Sequence, residues 1–205
     1  FCAGADVRGF TQALEKGPAE ISAHLQDQAG KLHRQIILKI RQLHKPVIAA
    51  VDGVAAGAGV GLALACDLRI AAESATFNQS WVQLGLTSEG TYFLPRLVGV
   101  GKATELFFTG DSISATEAHK WGIINRVVPD DRLEEETATW AKRMASGPTE
   151  ALGRIKLLIN SSHKNLLDVH LAQESALIAE TTHTDDFKEG VQAFLEKREP
   201  KFVGK

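Results

Sequence analysis

The chain has 205 residues, of which 44% are hydrophobic and 23% charged, the composition of a folded domain with a sizeable core and not of a disordered chain. Lys and Arg total 23 against 25 Asp and Glu, a net charge of -2, so there is no basic excess to point to nucleic acid or an anionic membrane surface. No apolar run reaches the length of a membrane span, and two cysteines, Cys2 and Cys66, form neither a disulfide framework nor a metal-ligand spacing, so a reducing, cytoplasmic setting is expected.

The chain opens at Phe1-Cys2-Ala3-Gly4-Ala5-Asp6, an apolar start running into a turn, which reads as the end of a strand whose beginning is absent. Ile21, Leu25, Leu32, Ile36, Ile37, Ile40 and Leu43 recur at helical spacing and predict an amphipathic helix over 20–43, stopped by Lys45-Pro46. Val47 to Val51 is a buried strand by composition, with its turn at Asp52-Gly53. Ala55 to Ala65 is small and apolar throughout and reads as a buried helix, followed by strands over 66–70 and 75–77. Lys102–Phe108 is helical, and Ser114-Ala115-Thr116-Glu117 spells a capping box for a helix ending at Gly122. Ile123–Val128 is a strand stopped by Pro129, and amphipathic helices follow over 131–145, 148–161, 166–181 and 185–198. The order predicts an α/β core over 1–130 and a helical portion over 131–205.

Ala55-Ala56-Gly57-Ala58-Gly59-Val60-Gly61 is the segment most suggestive of chemistry. Glycines there admit a ligand to the backbone, and the first N–H groups of a helix are free to bind an anion, although a tight turn with close packing uses the same residues. The spacing is GxGxG, not the GxGxxG of a dinucleotide site, and no phosphate-loop Lys-Ser/Thr is present. An N–H at Ala5, brought beside that of Ala58, would complete an oxyanion hole worth roughly 3–4 kcal/mol to a developing enolate.

The stretches FCAGAD at 1–6, KPVIAAVDGVAAGAGVGLALACDLRIAAESATF at 45–77, LPRLVGVGKATELFFTGDSISATEAHKWGIINRVVP at 94–129 and EGVQAFLEKR at 189–198 together resemble the enoyl-CoA hydratase/isomerase (crotonase) family. The resemblance implies an α/β spiral of ββα units with a helical C-terminal trimerisation region, assembled as a homotrimer or hexamer. It also implies roughly 50–60 residues before Phe1, the family's first strands, without which a sheet edge is left bare. The implied substrate is an acyl-CoA thioester, with coenzyme A as part of the substrate, and no separate cofactor, metal, nucleic acid or membrane partner. By position, Ala5 and Ala58 supply the oxyanion-hole N–H groups. Ala3 and Arg8 meet the nucleotide end of coenzyme A, and Phe194 and Lys197 meet it from the last helix, commonly that of a neighbouring subunit.

Departures from the pattern bear on the reaction. The two glutamates that hydratases of the family use fall here on Gly61 and Trp81, so the usual groups for activating water are absent. Glu89 matches the acidic residue of isomerase members, with Trp81 expected to line an apolar pocket that raises its pKa. A solvated acid in the first turn of a helix is the plainer role for Glu89, and the loop from Gly85 to Pro95 is about two residues shorter than in isomerase members, which bears on where the base sits. Trp81 with an acid at 89 also resembles the 4-chlorobenzoyl-CoA dehalogenase branch, whose histidine would be one of His24, His33 and His44. The expected activity is enoyl-CoA isomerisation, with a hydratase of different constellation or a catalytically silent acyl-CoA-binding scaffold as the alternatives. Asp67 and Asp111 are expected in buried hydrogen-bonding or turn roles, His119, His163, His170 and His183 at the surface, and Trp121 and Trp140 in packing.

Overall fold

The computed structural model describes residues 1–205, in two compact units: Phe1–Arg41 with Ile48–Glu134, and Gln42–Val47 with Glu135–Lys205. In the first unit α1 (Val7–Glu15) and α2 (Pro18–Lys31) lead into a π-helical stretch, Leu32–Ile37, and α3 (Leu38–Gln42). The expected helix over 20–43 is therefore present, with a widened turn in its middle. Helix α1 was not expected; Asp6 nucleates it by accepting a hydrogen bond from the Arg8 N–H at 3.1 Å.

The strands then come in pairs, each pair feeding one strand to each of two sheets. β1 (Ile48–Val51), β3 (Leu68–Ala72) and β6 (Arg126–Val128) form a parallel sheet in the order β1-β3-β6. β2 (Val54–Ala56) and β4 (Thr76–Asn78) pair in parallel in the second sheet, with β5 (Ser112–Ser114) antiparallel to β4. Helix α4 (Ala58–Ala65) follows β2, α5 (Leu94–Thr109) follows β4, and α6 (Ala115–Lys120) joins β5 to β6. This is the turn-by-turn stacking of ββα units that the resemblance implied.

Two expectations need correction. Val54–Ala56 is a strand and not the start of the buried helix, because Cys2 and Thr76 to Asn78 offer its backbone ladder partners on both sides. The expected strand over 123–128 begins only at Arg126, since the Ile123 and Ile124 N–H groups turn back to Ala118 O and close α6. The capping box forms as read: Ser114 accepts from the Glu117 N–H, and the Glu117 carboxylate accepts from the Ser114 N–H at 2.9 Å.

Helix α4 is buried on almost every side, at Gly59, Val60, Gly61, Ala63, Leu64 and Ala65. Such a helix has no polar face to give to solvent, and its small residues let neighbouring backbone approach closely. Next to it, the buried Arg69 guanidinium donates to Ile123 O at 2.6 Å and Cys66 O at 2.7 Å, tying β3 to the turn after α6. Burial lowers the Arg69 pKa, and the carbonyl acceptors are what make a cation tolerable there. Asp67 sits half-buried beside Arg41 at 3.4 Å, as expected of it, whereas Asp111 is exposed.

The second unit is helical: α7 (Leu133–Ala145), most of which lies in it, α8 (Thr149–Ser161), α9 (Leu167–Thr181) and α10 (Asp185–Glu196). The stretch Gln42–Val47 belongs with it because the His44 carbonyl rests on Gly153, where a Cβ would stand 2.6 Å away, and Lys156 Nζ donates to Lys45 O at 3.1 Å. The buried Asp186 accepts from the N–H groups of Val203 and Gly204 at 2.7 and 3.0 Å and fastens the C-terminal tail to α10. Glu189 chelates Arg198 and the Lys201 N–H, which pulls its pKa down to about 2. His170 is largely buried, 3.4 Å from Glu174, where a surface position was expected. Leu166, Leu167, Val169, Leu171 and Ile178 are exposed along α9 and its approach.

The closest approach to a glycine in the first unit is that of Cys2 to Gly59: a Cβ at Gly59 would lie 2.0 Å from Cys2 O. Gly59→Ala is therefore expected to destabilise the protein by about 3 kcal/mol or more through overpacking against backbone, read as a lowered urea midpoint, whereas Gly9→Ala, with open space at its Cα, should not lower it.

Candidate active site

Two backbone turns meet at the start of α4. Cys2 joins β2 as a short parallel bridge, with its N–H donating to Val54 O at 3.1 Å and its carbonyl accepting from Ala56 at 3.0 Å. The chain after Cys2 therefore runs beside the chain after Ala56, and Gly4 lies against Ala58. A Cβ on Gly4 would meet Ala56 O at 2.8 Å and Ala58 N at 3.6 Å, and its φ of 87° is one that glycine adopts freely. Gly57, at φ 50°, turns the chain into α4 while its own N–H is held by Asn78 O at 2.9 Å. The Gly57 carbonyl accepts from Val60 and Gly61, so the Ala58 N–H, at the first helical position, has no acceptor within the helix. The Ala5 N–H, at the turn into α1, likewise donates to nothing in the chain.

Above this turn stand three side chains with buried polar atoms that have no partner: Trp81 Nε1, Gln79 Nε2 and Glu89 Oε2. Trp81 lies on Gly57, where a Cβ would be 2.6 Å from Nε1, and its ring stacks on Phe10 with centroids 6.4 Å apart. Gln79 is buried and accepts from Ser88 Oγ at 2.8 Å, which fixes the loop carrying Glu89. Gly90, at φ 83°, completes that loop over Leu64. Buried polar atoms are nearly always paired in folded proteins, so three orphans around one helix end are the mark of a site.

Glu89 stands 3.5 Å (Cβ to Cβ) from where a side chain on Gly61 would begin. Glu89 is thus packed directly against the Gly61 turn of α4. Its side chain is only 15% exposed, so it is not the solvated acid of a helix start. Burial pushes its pKa above the ordinary carboxylate range, and His33, with Nε2 3.7 Å from Oε1, draws it part of the way back. Among His24, His33 and His44, which the sequence offered only for the dehalogenase-like reading, the structure singles out His33. His24 packs edge-on against Phe10, and the His44 backbone rests on Gly153.

The other expected contacts are less gathered. Ala3 is exposed beside the turn, and Arg8 is exposed, its Nε 3.3 Å from Asp6. Phe194, 82% exposed, and Lys197, in the left-handed conformation at the end of α10, lie in the second unit. A small cavity lined by Val60, Phe77, Leu94, Leu106, Ile113 and others includes none of Ala5, Ala58 and Glu89. No three His, Cys, Asp or Glu are grouped to hold a metal ion, and no helix is long and apolar enough to cross a membrane.

A family model described as enoyl-CoA hydratase/isomerase matches residues 1–205. The chain belongs to the enoyl-CoA hydratase/isomerase family. It is 41% identical to the 1,2-epoxyphenylacetyl-CoA isomerase of Escherichia coli K12, over all of this chain and 78% of that protein. It is 40% identical to the crotonyl-CoA hydratase of Syntrophomonas wolfei, over all of this chain and 76% of the relative. Among solved structures, the enoyl-CoA hydratase of Bacillus anthracis superposes with a TM-score of 0.87 at 40% identity, covering all of this chain and 77% of that one. This enoyl-CoA hydratase/isomerase family member therefore has the crotonase fold and belongs among acyl-CoA enzymes, whose named activities include both hydration and isomerisation.

The raised pKa of Glu89 carries a stability consequence. A carboxylate whose folded pKa exceeds its unfolded value of 4.5 binds its proton more tightly when folded, so stability is lost as pH rises from that value through the folded pKa. Glu89→Gln is expected to be more stable than the wild type at pH 7, with the advantage shrinking as pH falls through the folded pKa toward 4.5 and levelling off below it, as thermal unfolding across that range would measure.

Proposed function

We propose that this protein is an enoyl-CoA isomerase in which Glu89 moves a proton along the acyl chain. The observation that carries the reading is a single half-buried carboxylate beside Gly61, with no carboxylate at position 61 or 81 to activate water. Glu89 takes a proton from C2 of a 3-enoyl thioester, the electron pair passes into the thioester carbonyl as a dienolate, and the same carboxyl returns the proton at C4. Ala5 and Ala58 donate their N–H groups to the enolate oxygen, and Trp81 and Phe10 wall the acyl group. The raised pKa suits a base that must take a weakly acidic proton and release it again. The similarity to a 1,2-epoxyphenylacetyl-CoA isomerase supports isomerisation as the class of reaction. No electron leaves the substrate, so the reaction needs no cofactor beyond the coenzyme A it carries.

Recognition of coenzyme A by Ala3, Arg8, Phe194 and Lys197 is part of the same proposal, as are a cytoplasmic setting and assembly as a homotrimer or hexamer. The exposed apolar side chains of α9 support assembly, since isolated monomers rarely leave so many uncovered. Hydration is the second reading, favoured by relatives named as hydratases, and it would require Glu89 alone to activate water.

Paired assays with 3-enoyl-CoA and 2-enoyl-CoA test this. Glu89→Gln is expected to lower double-bond migration by roughly 10²- to 10⁴-fold. Ala58→Pro removes one N–H at a helix position that tolerates proline and is expected to cost roughly 10²- to 10³-fold in kcat. Water addition to the 2-enoyl substrate that persists in Glu89→Gln would overturn the assignment of Glu89 and return the protein to the hydratases.

A further inference from the structure

The two oxygens of Glu89 are in different surroundings. Oε1 faces His33 Nε2 at 3.7 Å, whereas Oε2 is buried without a partner. His33 is 51% exposed and Glu89 only 15%, so the imidazole stands between a secluded carboxyl and solvent. His33 also lies in the π-helical stretch Leu32–Ile37, a widened turn inside an otherwise α-helical segment. Such turns cost regular hydrogen bonding and recur where a side chain must be aimed, which is an observation independent of the contact itself. Arg34, the next cation in the stretch, folds back over Gly30, where a Cβ would meet its Nη2 at 2.8 Å.

We propose that His33 is a positioning residue that faces Oε1 and links the carboxyl to solvent, leaving Oε2 to face the substrate. The inference rests on Glu89 being the base. After Oε2 has taken the C2 proton, the carboxyl group turns, and His33, in the tautomer whose hydrogen is on Nδ1, accepts that proton at Nε2 to give an imidazolium beside a carboxylate. The half-exposed imidazolium trades the proton with water and returns a solvent proton to Glu89, which delivers it to C4. No net charge or electron is moved; only the origin of the C4 hydrogen changes. The 3.7 Å separation is longer than a hydrogen bond, and the proton transfer requires it to tighten as the carboxyl group turns.

The full chain is assayed in ordinary water with hex-3-enoyl-CoA deuterated at both C2 positions, and deuterium at C4 of the product is measured at early turnover. The wild type is expected to place mostly solvent hydrogen at C4. His33→Gln keeps a polar side chain beside Oε1 but cannot carry a proton, so deuterium carried to C4 should rise several-fold, with a lowered kcat. His33→Leu should show the same rise together with a larger fall in kcat. A merely structural role would lower rates and leave the isotope partition unmoved, and an unchanged partition in both variants overturns the proposal while leaving Glu89 as the base. Isomerisation that survives Glu89→Gln, or a wild type that does not isomerise this substrate, overturns the base and the role of His33 together.

Discussion

Everything at the site depends on how closely two backbones are allowed to approach. Cys2 O rests on Gly59 and Trp81 on Gly57, and at both positions a Cβ would collide with what lies above it. The chain around Gly4 is held against the start of α4 by the bridge at Cys2, and it is this register that sets Gly4 beside the Ala58 N–H. A helix N-terminus alone offers unpaired donors along one direction. Bringing a second chain against it adds a donor from another direction, which is what a developing oxyanion needs.

The same helix pays for its function in stability. Trp81, Gln79 and Glu89 each keep a polar atom buried and unpartnered, and each such atom costs roughly 1–3 kcal/mol relative to a satisfied one. They are held in place by what surrounds them: Phe10 stacks on Trp81, Ser88 bonds Gln79, and Gly90 closes the loop over Leu64. Around α4 the core is built from buried small apolar residues, among them Ala55, Ala63, Ala65, Ala71 and Ala72, interleaved with Val51, Ile70 and Phe77. Arg69, buried among carbonyls, adds a polar clasp between β3 and the turn after α6.

Much of this architecture was legible in the sequence. The apolar periodicity over 20–43, the capping box at Ser114 and the four C-terminal helices follow from local chemistry, and the glycine turn before α4 stands out by composition. What escaped was decided by partners far away in the chain. Val54–Ala56 has no local reason to be a strand; it is one because Cys2 and β4 supply its ladder. Helix α1 escaped although Val7, Phe10, Ala13 and Leu14 recur at helical spacing behind the Asp6 cap, in a segment of only nine residues.

The sequence by itself determined the family, the order of most elements and the kind of residue at each candidate position, including the glycine at 61 and the tryptophan at 81. These properties are written in residue identity and in short-range spacing, which survive without coordinates. Only the tertiary structure decided that Glu89 is largely withdrawn from water, that it packs against Gly61, and that His33, alone of His24, His33 and His44, faces its carboxylate. Protonation and reach depend on dielectric surroundings and on distances between residues separated by more than fifty positions in the chain, such as His33 and Glu89, and no local pattern encodes either.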